Sequence, residues 1–203
     1  MVRPRLRHEQ GDIRCPKCFS KRSGLRPLWK TQNVFALSIS GFPNAPEFSP
    51  RYNVASVIRD FQPEDFDSLW RLDQECFPPG IAYSKQELKA YIRHPRAFTL
   101  VATDSAQGKT QGFIVGHAGR TGHIVTIDVS SAARRTGVGS ALLGAAEERL
   151  RAAGCDKAGL ETAVDNLAAL SFYKRQGYAV VRTWPRYYSN GVDALVLEKD
   201  LRA

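Results

Sequence analysis

Ile127-Asp128-Val129-Ser130-Ser131-Ala132-Ala133-Arg134-Arg135-Thr136-Gly137-Val138-Gly139-Ser140-Ala141-Leu142-Leu143 is the stretch on which the reading of this 203-residue chain turns. An apolar strand pattern ends, two arginines and two glycines pass, and a helical pattern of leucines begins. The first N–H groups of a helix have no intrahelical partner, and the helix dipole is positive at that end. Together they make an anion site. Gly137 and Gly139 let the backbone approach the anion with no Cβ in the way, and Arg134 and Arg135 add charge-assisted contacts. The stretch reads as a strand, a phosphate-holding loop through Arg135, Thr136, Gly137, Val138, Gly139 and Ser140, and a helix. A P-loop needs Gly-Lys-Ser/Thr, but Gly139 precedes Ser140 and Ala141. A dinucleotide fingerprint needs Gly or Ala at its sixth position, which here is Leu142. The plainer alternative is an Arg/Gly turn that merely caps a core helix.

Working outward, residues 54–61 read as a strand, and Pro63-Glu64-Asp65 opens a helix carrying Phe66, Leu69, Trp70, Asp73 and Phe77 at spacings of three and four. After a turn over 77–82, Ser84 and Glu87 have capping-box spacing and start a second helix that ends before Pro95. Residues 99–103 and 112–117 read as a hairpin around a polar turn at 104–110, and 123–129 as a further strand. Residues 138–153 form an amphipathic helix with Leu142, Leu143, Ala146 and Leu150 inward, stopped by Gly154. A strand at 158–163, a helix at 166–176 stopped by Gly177, and closing strands at 179–184 and 194–201 complete the order β-α-α-β-β-β-α-β-α-β-β. No internal repeat is present.

A second stretch, Glu161-Thr-Ala-Val-Asp-Asn166-Leu-Ala-Ala-Leu-Ser-Phe-Tyr173-Lys-Arg-Gln-Gly177-Tyr178, stands a fixed distance downstream. Arg-x-x-Gly-x-Gly at a strand-to-helix junction resembles the pyrophosphate loop of the GNAT superfamily of acetyltransferases. Asn166, Tyr173 and Gly177-Tyr178 are similar to that superfamily's second signature. The resemblance spans about 150 residues and is greatest to the ribosomal-protein-alanine N-acetyltransferase (RimI-like) branch. Phe77-Pro-Pro-Gly-Ile-Ala-Tyr83-Ser84 and Arg186-Tyr187-Tyr188 add to it. The chain departs from that branch at Ala82-Tyr83-Ser84, where Pro-Trp-Ser is frequent.

The resemblance implies an α/β fold, a mixed, mostly antiparallel twisted sheet flanked by helices and splayed near Val129. It implies acetyl-CoA as co-substrate, with Asn166 among its contacts and the backbone of Ile127 and Val129 pairing with the pantetheine arm as an added strand does. The side chains of Ile127 and Val129 read equally as core. Val129 N–H is then an oxyanion donor. Glu161 stands where the branch has its proposed base, with a sheet-edge hydrogen bond as the plainer reading and Asp128 as the alternative carboxylate. Tyr173 is the general acid, because a phenol stays protonated at neutral pH, or else a core aromatic. Tyr83, Tyr187 and Tyr188 line a slot for the acceptor, or else pack the sheet. Direct transfer to a primary amine follows, most simply a protein N-terminal α-amine. A lysine, a small-molecule amine and a non-catalytic acyl-CoA-binding module are the other readings. Cys76 and Cys155 read as structural.

Composition bounds the rest. A chain of 43% hydrophobic and 24% charged residues is ordinary for a soluble globular protein. The net charge of +9 is concentrated in residues 1–52, where ten basic side chains face Glu9, Asp12 and Glu47. Residues 1–53 therefore read as a basic, poorly structured leader with a Pro-rich linker at 41–50, and 54–203 as the catalytic domain. The leader is suited to weak contact with RNA, including ribosomal RNA. Its Cys15-Pro-Lys-Cys18 is half a zinc knuckle; even with His8 a fourth ligand is missing, so no metal is expected. No apolar run approaches membrane-spanning length, and Arg3, Arg5 and Arg7 lead into His8-Glu9-Gln10 instead of an apolar segment. A cytoplasmic protein without a membrane partner is the expectation.

Overall fold

The computed structural model describes residues 56–78, 81–106, 108–188 and 190–202. The leader, with Cys15, Cys18 and the 41–50 linker, lies outside them, as do residues 54 and 55. Strands β1 (Ser56–Asp60), β2 (Ala97–Asp104), β3 (Thr110–His117), β4 (Gly122–Val129), β5 (Lys157–Ala163), β6 (Ala179–Trp184) and β7 (Ala194–Asp200) form one sheet, in the order β1-β2-β3-β4-β5-β7-β6. Every pairing is antiparallel except β4 with β5. The helices are α1 (Phe66–Cys76), α2 (Lys85–Ile92), α3 (Val138–Ala152) and α4 (Leu167–Arg175). This is the order and fold class expected from the sequence.

Each face of the sheet buries a separate core. On one, α3 sets Val138, Leu142, Leu143, Ala146 and Leu150 against Leu100, Ile114, Leu160 and Leu197. On the other, Leu69 and Leu72 of α1 and Leu88 and Tyr91 of α2 close over Val101, Phe113 and Val115. The capping box at α2 forms as its spacing requires: Ser84 Oγ accepts from Glu87 N–H, and the Glu87 carboxylate accepts from Ser84 N–H.

Three details differ from the sequence reading. Pro63–Asp65 forms a 3-10 turn ahead of α1, and Ser131–Ala133 forms another inside the stretch read as open loop. Asn166 stands just outside α4 as its N-cap, its Oδ1 accepting from Ala169 N–H at 3.1 Å. Glu147, on the buried side of α3, is held by Lys199 at 2.7 Å and Arg151 at 3.7 Å.

Candidate active site

The site lies where β4 and β5 part. Their parallel ladder consists of Gly122↔Ala158 and His123↔Gly159, whereas β5 pairs with β7 along its whole length. Beyond His123 the two strands diverge. Val125 is the extra residue where the β3–β4 register shifts, since Val115 faces Thr126 and Gly116 faces Ile124. Such a bulge bends a strand away from its neighbour.

The same register fixes which backbone groups face the fork. Ser130 N–H donates to Gln111 C=O at 2.8 Å, and hydrogen-bonded and non-bonded pairs alternate along an antiparallel ladder. The pairs Gly112↔Val129 and Ile114↔Ile127 are then non-bonded. The N–H and C=O groups of Val129 and Ile127 turn away from β3 and into the fork, while both side chains pack on the α3 core. Core packing of the side chains thus leaves these backbone groups facing the fork, where the expected pantetheine contact would be made.

The loop follows at once. Arg135 (φ 62) and Gly137 (φ 100) both adopt left-handed backbone, curling the chain into α3. Gly137 is the N-cap and no side chain caps the helix, so its first N–H groups are available to an anion. That geometry fits a pyrophosphate. Thr136 Oγ1 donates to Ala133 C=O at 2.7 Å, Val138 is buried, and Ser140 Oγ accepts from Gln176 Nε2 at 3.0 Å, tying the loop to the end of α4. Arg134 behaves differently from the expectation of a phosphate contact. Its Nε donates to Val129 C=O at 3.0 Å and its Nη2 lies 3.6 Å from Cys76 Sγ, so the guanidinium braces the loop against β4 and α1. The Cys76 thiol also points at Val129 C=O, at 3.5 Å. Burial and the Asp128 charge push its pKa up, as suits a structural thiol.

Across the fork stand the ionisable groups. Glu161 lies past the last β4–β5 pair, on β5 where only β7 flanks it, so it borders the fork. Its Oε2 lies 2.8 Å from His123 Nε2, and the two side chains retain 11% and 17% exposure. His123 had no role in the sequence reading. The pair is 38 positions apart, and only the register brings it together. Asp128 is 1% exposed, with Thr126 Oγ1 at 3.3 and 3.4 Å from its oxygens. It is a far less accessible carboxylate than Glu161.

Tyr173 reaches in from α4, buried edge-to-face between Phe172 and Tyr178, with ring centroids 5.1 and 5.6 Å away. Burial first, and the nearby Asp128 charge second, push its pKa above the ordinary phenol value, so it stays protonated. Tyr83 is 1% exposed and packs against Tyr91 with the rings tilted and their centroids 5.1 Å apart. Its N–H donates to Asp73 at 2.6 Å and its C=O accepts from Gln74 and Trp70. It is a pillar of the α1–α2 core, not a surface that an acceptor touches without rearrangement. Tyr187, half-buried between Trp184 and Tyr188 at 5.2 Å each, packs on that same core. The β6–β7 connection and the α1–α2 layer thus meet beside the fork.

The family model described as acetyltransferase (GNAT) family matches residues 66–178. The chain belongs to that family. It is 32% identical over 145 residues to an uncharacterized N-acetyltransferase of Methanocaldococcus jannaschii, covering 70% of this chain and 90% of the relative. It is 28% identical over 160 residues to an N-alpha-acetyltransferase of Sulfurisphaera tokodaii, covering 71% and 92%. Ard1 from Thermoplasma volcanium superposes with a TM-score of 0.66 at 32% identity, covering 72% of this chain and 98% of that one. This GNAT chain is an acetyl-CoA-dependent N-acetyltransferase. Among its described residues no group of His, Cys, Asp and Glu could hold a metal ion, and no helix is long and apolar enough to cross a membrane.

Proposed function

We propose that the enzyme transfers the acetyl group to the N-terminal α-amine of a protein. The observation that carries this reading is the His123–Glu161 contact on the acceptor side of the fork, opposite the uncapped start of α3. An α-amine has a pKa near 8 and needs modest help to lose its proton at neutral pH, whereas lysine, near 10.4, needs far more. One carboxylate–imidazole pair acting directly or through a water suffices for the first. Resemblance to an N-alpha-acetyltransferase points the same way. The narrower ribosomal-protein acceptor of the RimI-like branch rests on the motifs at 77–84 and 186–188.

In the proposed reaction the N–H groups from Arg135 to Ser140 hold the pyrophosphate of acetyl-CoA, which supplies the activated acetyl thioester. The fork-facing groups of Ile127 and Val129 align the pantetheine arm, and Asn166 contacts the coenzyme beside the start of α4. The Glu161–His123 pair takes a proton from the acceptor ammonium, and the neutral amine that results attacks the thioester carbonyl. Val129 N–H supports the oxyanion, an interaction worth about 3–4 kcal/mol where such donors have been removed. Tyr173 donates its phenolic proton to the departing thiolate and regains one from the acceptor nitrogen, which sheds its second proton as the adduct collapses to the amide. Tyr187 and Tyr188 flank the peptide, with Tyr83 holding the wall behind them.

The test is thiol release from acetyl-CoA with two short peptides, one with a free N-terminus and no lysine, the other blocked and carrying one lysine. Turnover on the first alone is expected. Turnover on the second alone would replace this reading with a lysine acceptor.

A further inference from the structure

The wall proposed to flank the acceptor starts from a strained residue. Arg186, just before Tyr187 and Tyr188, has φ 51, and among the described residues only Arg135 and the glycines share such left-handed backbone. A Cβ makes that conformation costly, so it persists where its surroundings impose it. The contact that imposes it here is short: Arg186 N–H donates to Asp193 Oδ1 at 2.7 Å. Asp193 is itself fixed from two sides. It precedes Ala194, the first residue of β7, which pairs with Ala163 of β5 and with Trp184 of β6. Its own C=O accepts from Val164 N–H, just past the end of β5, at 3.1 Å. Glu161 faces Val196, three residues further along, a span of about 10 Å in an extended strand.

We propose that Asp193 is a positioning residue for the acceptor, its carboxylate pinning the Arg186 turn so that Tyr187 and Tyr188 stand in a fixed place relative to the base. This rests on the reading above, in which those tyrosines flank the peptide and Glu161 takes its proton. Tyr187 is held at its ring end by Trp184 and the α1–α2 core. Packing of that kind is non-directional. A hydrogen bond from a backbone N–H to a carboxylate is charge-assisted and directional. It fixes the course of the chain as it enters Tyr187.

The connection does not need this carboxylate in order to close. Tyr188 N–H donates to Val192 C=O at 3.0 Å, and Gly191 N–H to Tyr188 C=O at 2.9 Å. β6 and β7 are laddered from Ala179 to Trp184. These bonds are all backbone to backbone and survive a change of side chain at 193, as does the bond from Val164. The Asp193 side chain therefore adds direction to a turn that is already closed. Without it Arg186 is free to return to negative φ, and the two tyrosines lose their orientation while the helix start and loop on the opposite bank stay as they are.

The experiment measures the KM for peptide and the KM for acetyl-CoA separately in the full chain, with whichever of the two peptides above the wild type turns over. Asp193→Ala should raise the peptide KM about tenfold and leave kcat and the acetyl-CoA KM within about twofold, because a bond to a charged group is lost on the acceptor side alone. Asp193→Asn, whose Oδ1 still accepts, should recover most of that rise. An unmoved peptide KM in Asp193→Ala, equal rises for both substrates, or no recovery in Asp193→Asn overturns the proposal. Should Asp193→Ala not fold, amide hydrogen exchange of the wild-type chain decides. Arg186 N–H is expected to exchange far more slowly than an open-chain amide, and exchange at the open-chain rate overturns the pin. Turnover of the lysine peptide alone would break the N-terminal reading and leave this comparison intact. A Tyr188→Ala variant with an unmoved peptide KM would instead break the reading of the acceptor wall.

Discussion

The two banks of the β4–β5 fork are built by different means. The bank proposed to hold the coenzyme is backbone: an uncapped helix start, a left-handed Gly137 and strand groups turned inward by register. The bank proposed to meet the acceptor is side chains, His123 and Glu161, carried by two strands and joined only where the sheet closes. A backbone site tolerates many side-chain changes and holds whatever carries the pyrophosphate. A side-chain site decides which amine is deprotonated and fails with one atom. Substitutions on the acceptor bank should therefore cut kcat, and those on the coenzyme bank should raise the KM for acetyl-CoA.

The largest expected effect is Glu161→Gln. It removes the proton acceptor while keeping the side-chain shape, and kcat should fall about 10²–10⁴-fold, the range for a positioned general base. Acetyl-CoA binding by calorimetry should be unchanged. Loss of coenzyme binding with the same substitution would erase the distinction between the banks. Tyr173→Phe comes next. It leaves the packing with Phe172 and Tyr178 in place and removes only the phenolic proton. A fall in kcat of about a hundredfold is expected, with coenzyme affinity intact; equal turnover would return Tyr173 to the core.

The contrast between the banks also explains what the sequence disclosed. Arg134, Gly137 and Gly139 lie within six residues, so their spacing alone describes a loop, and the 3.6-residue period of Leu142, Ala146 and Leu150 describes its helix. Element order was equally legible, because each strand and helix has its own period and its own stops at Gly154 and Gly177. His123 had no such local signal. Its meaning comes from a partner 38 positions away and from a ladder that ends after two pairs. The role of Arg134 was hidden for a related reason. An arginine beside a phosphate loop reads as a phosphate ligand, yet three-dimensional proximity gives it the Val129 carbonyl instead. The burial of Tyr83 followed from Asp73 and Gln74 seizing its backbone, contacts that no periodicity encodes.

Below the acceptor bank, His117 makes stability depend on pH. Its folded pKa is lowered to about 4 from an ordinary 6.5, so the unfolded chain binds the proton more tightly. The contribution is complete above pH 6.5 and is lost as pH falls toward 4, amounting to about 3 kcal/mol at the bottom of that window. Urea midpoints for wild type and His117→Gln across this range should diverge, the variant losing less stability on acidification. Parallel curves would mean that the corner accommodates the imidazolium.

The smallest effect is expected at Asn166, the one side chain proposed to join the coenzyme bank. Asn166 caps α4 through Oδ1, and α4 carries Tyr173. Replacing it with Ala should cost about 1 kcal/mol of stability, the usual value for a lost N-cap. Its amide N–H groups remain available to the coenzyme, and one ordinary hydrogen bond is worth about 1 kcal/mol, so the KM for acetyl-CoA should rise by about fivefold. Asn166→Asp separates the two parts, since it keeps the capping oxygen and removes the amide. Stability retained with a raised KM would make Asn166 both cap and ligand. Stability and KM both retained would leave it a cap alone, and the coenzyme bank would then be backbone throughout.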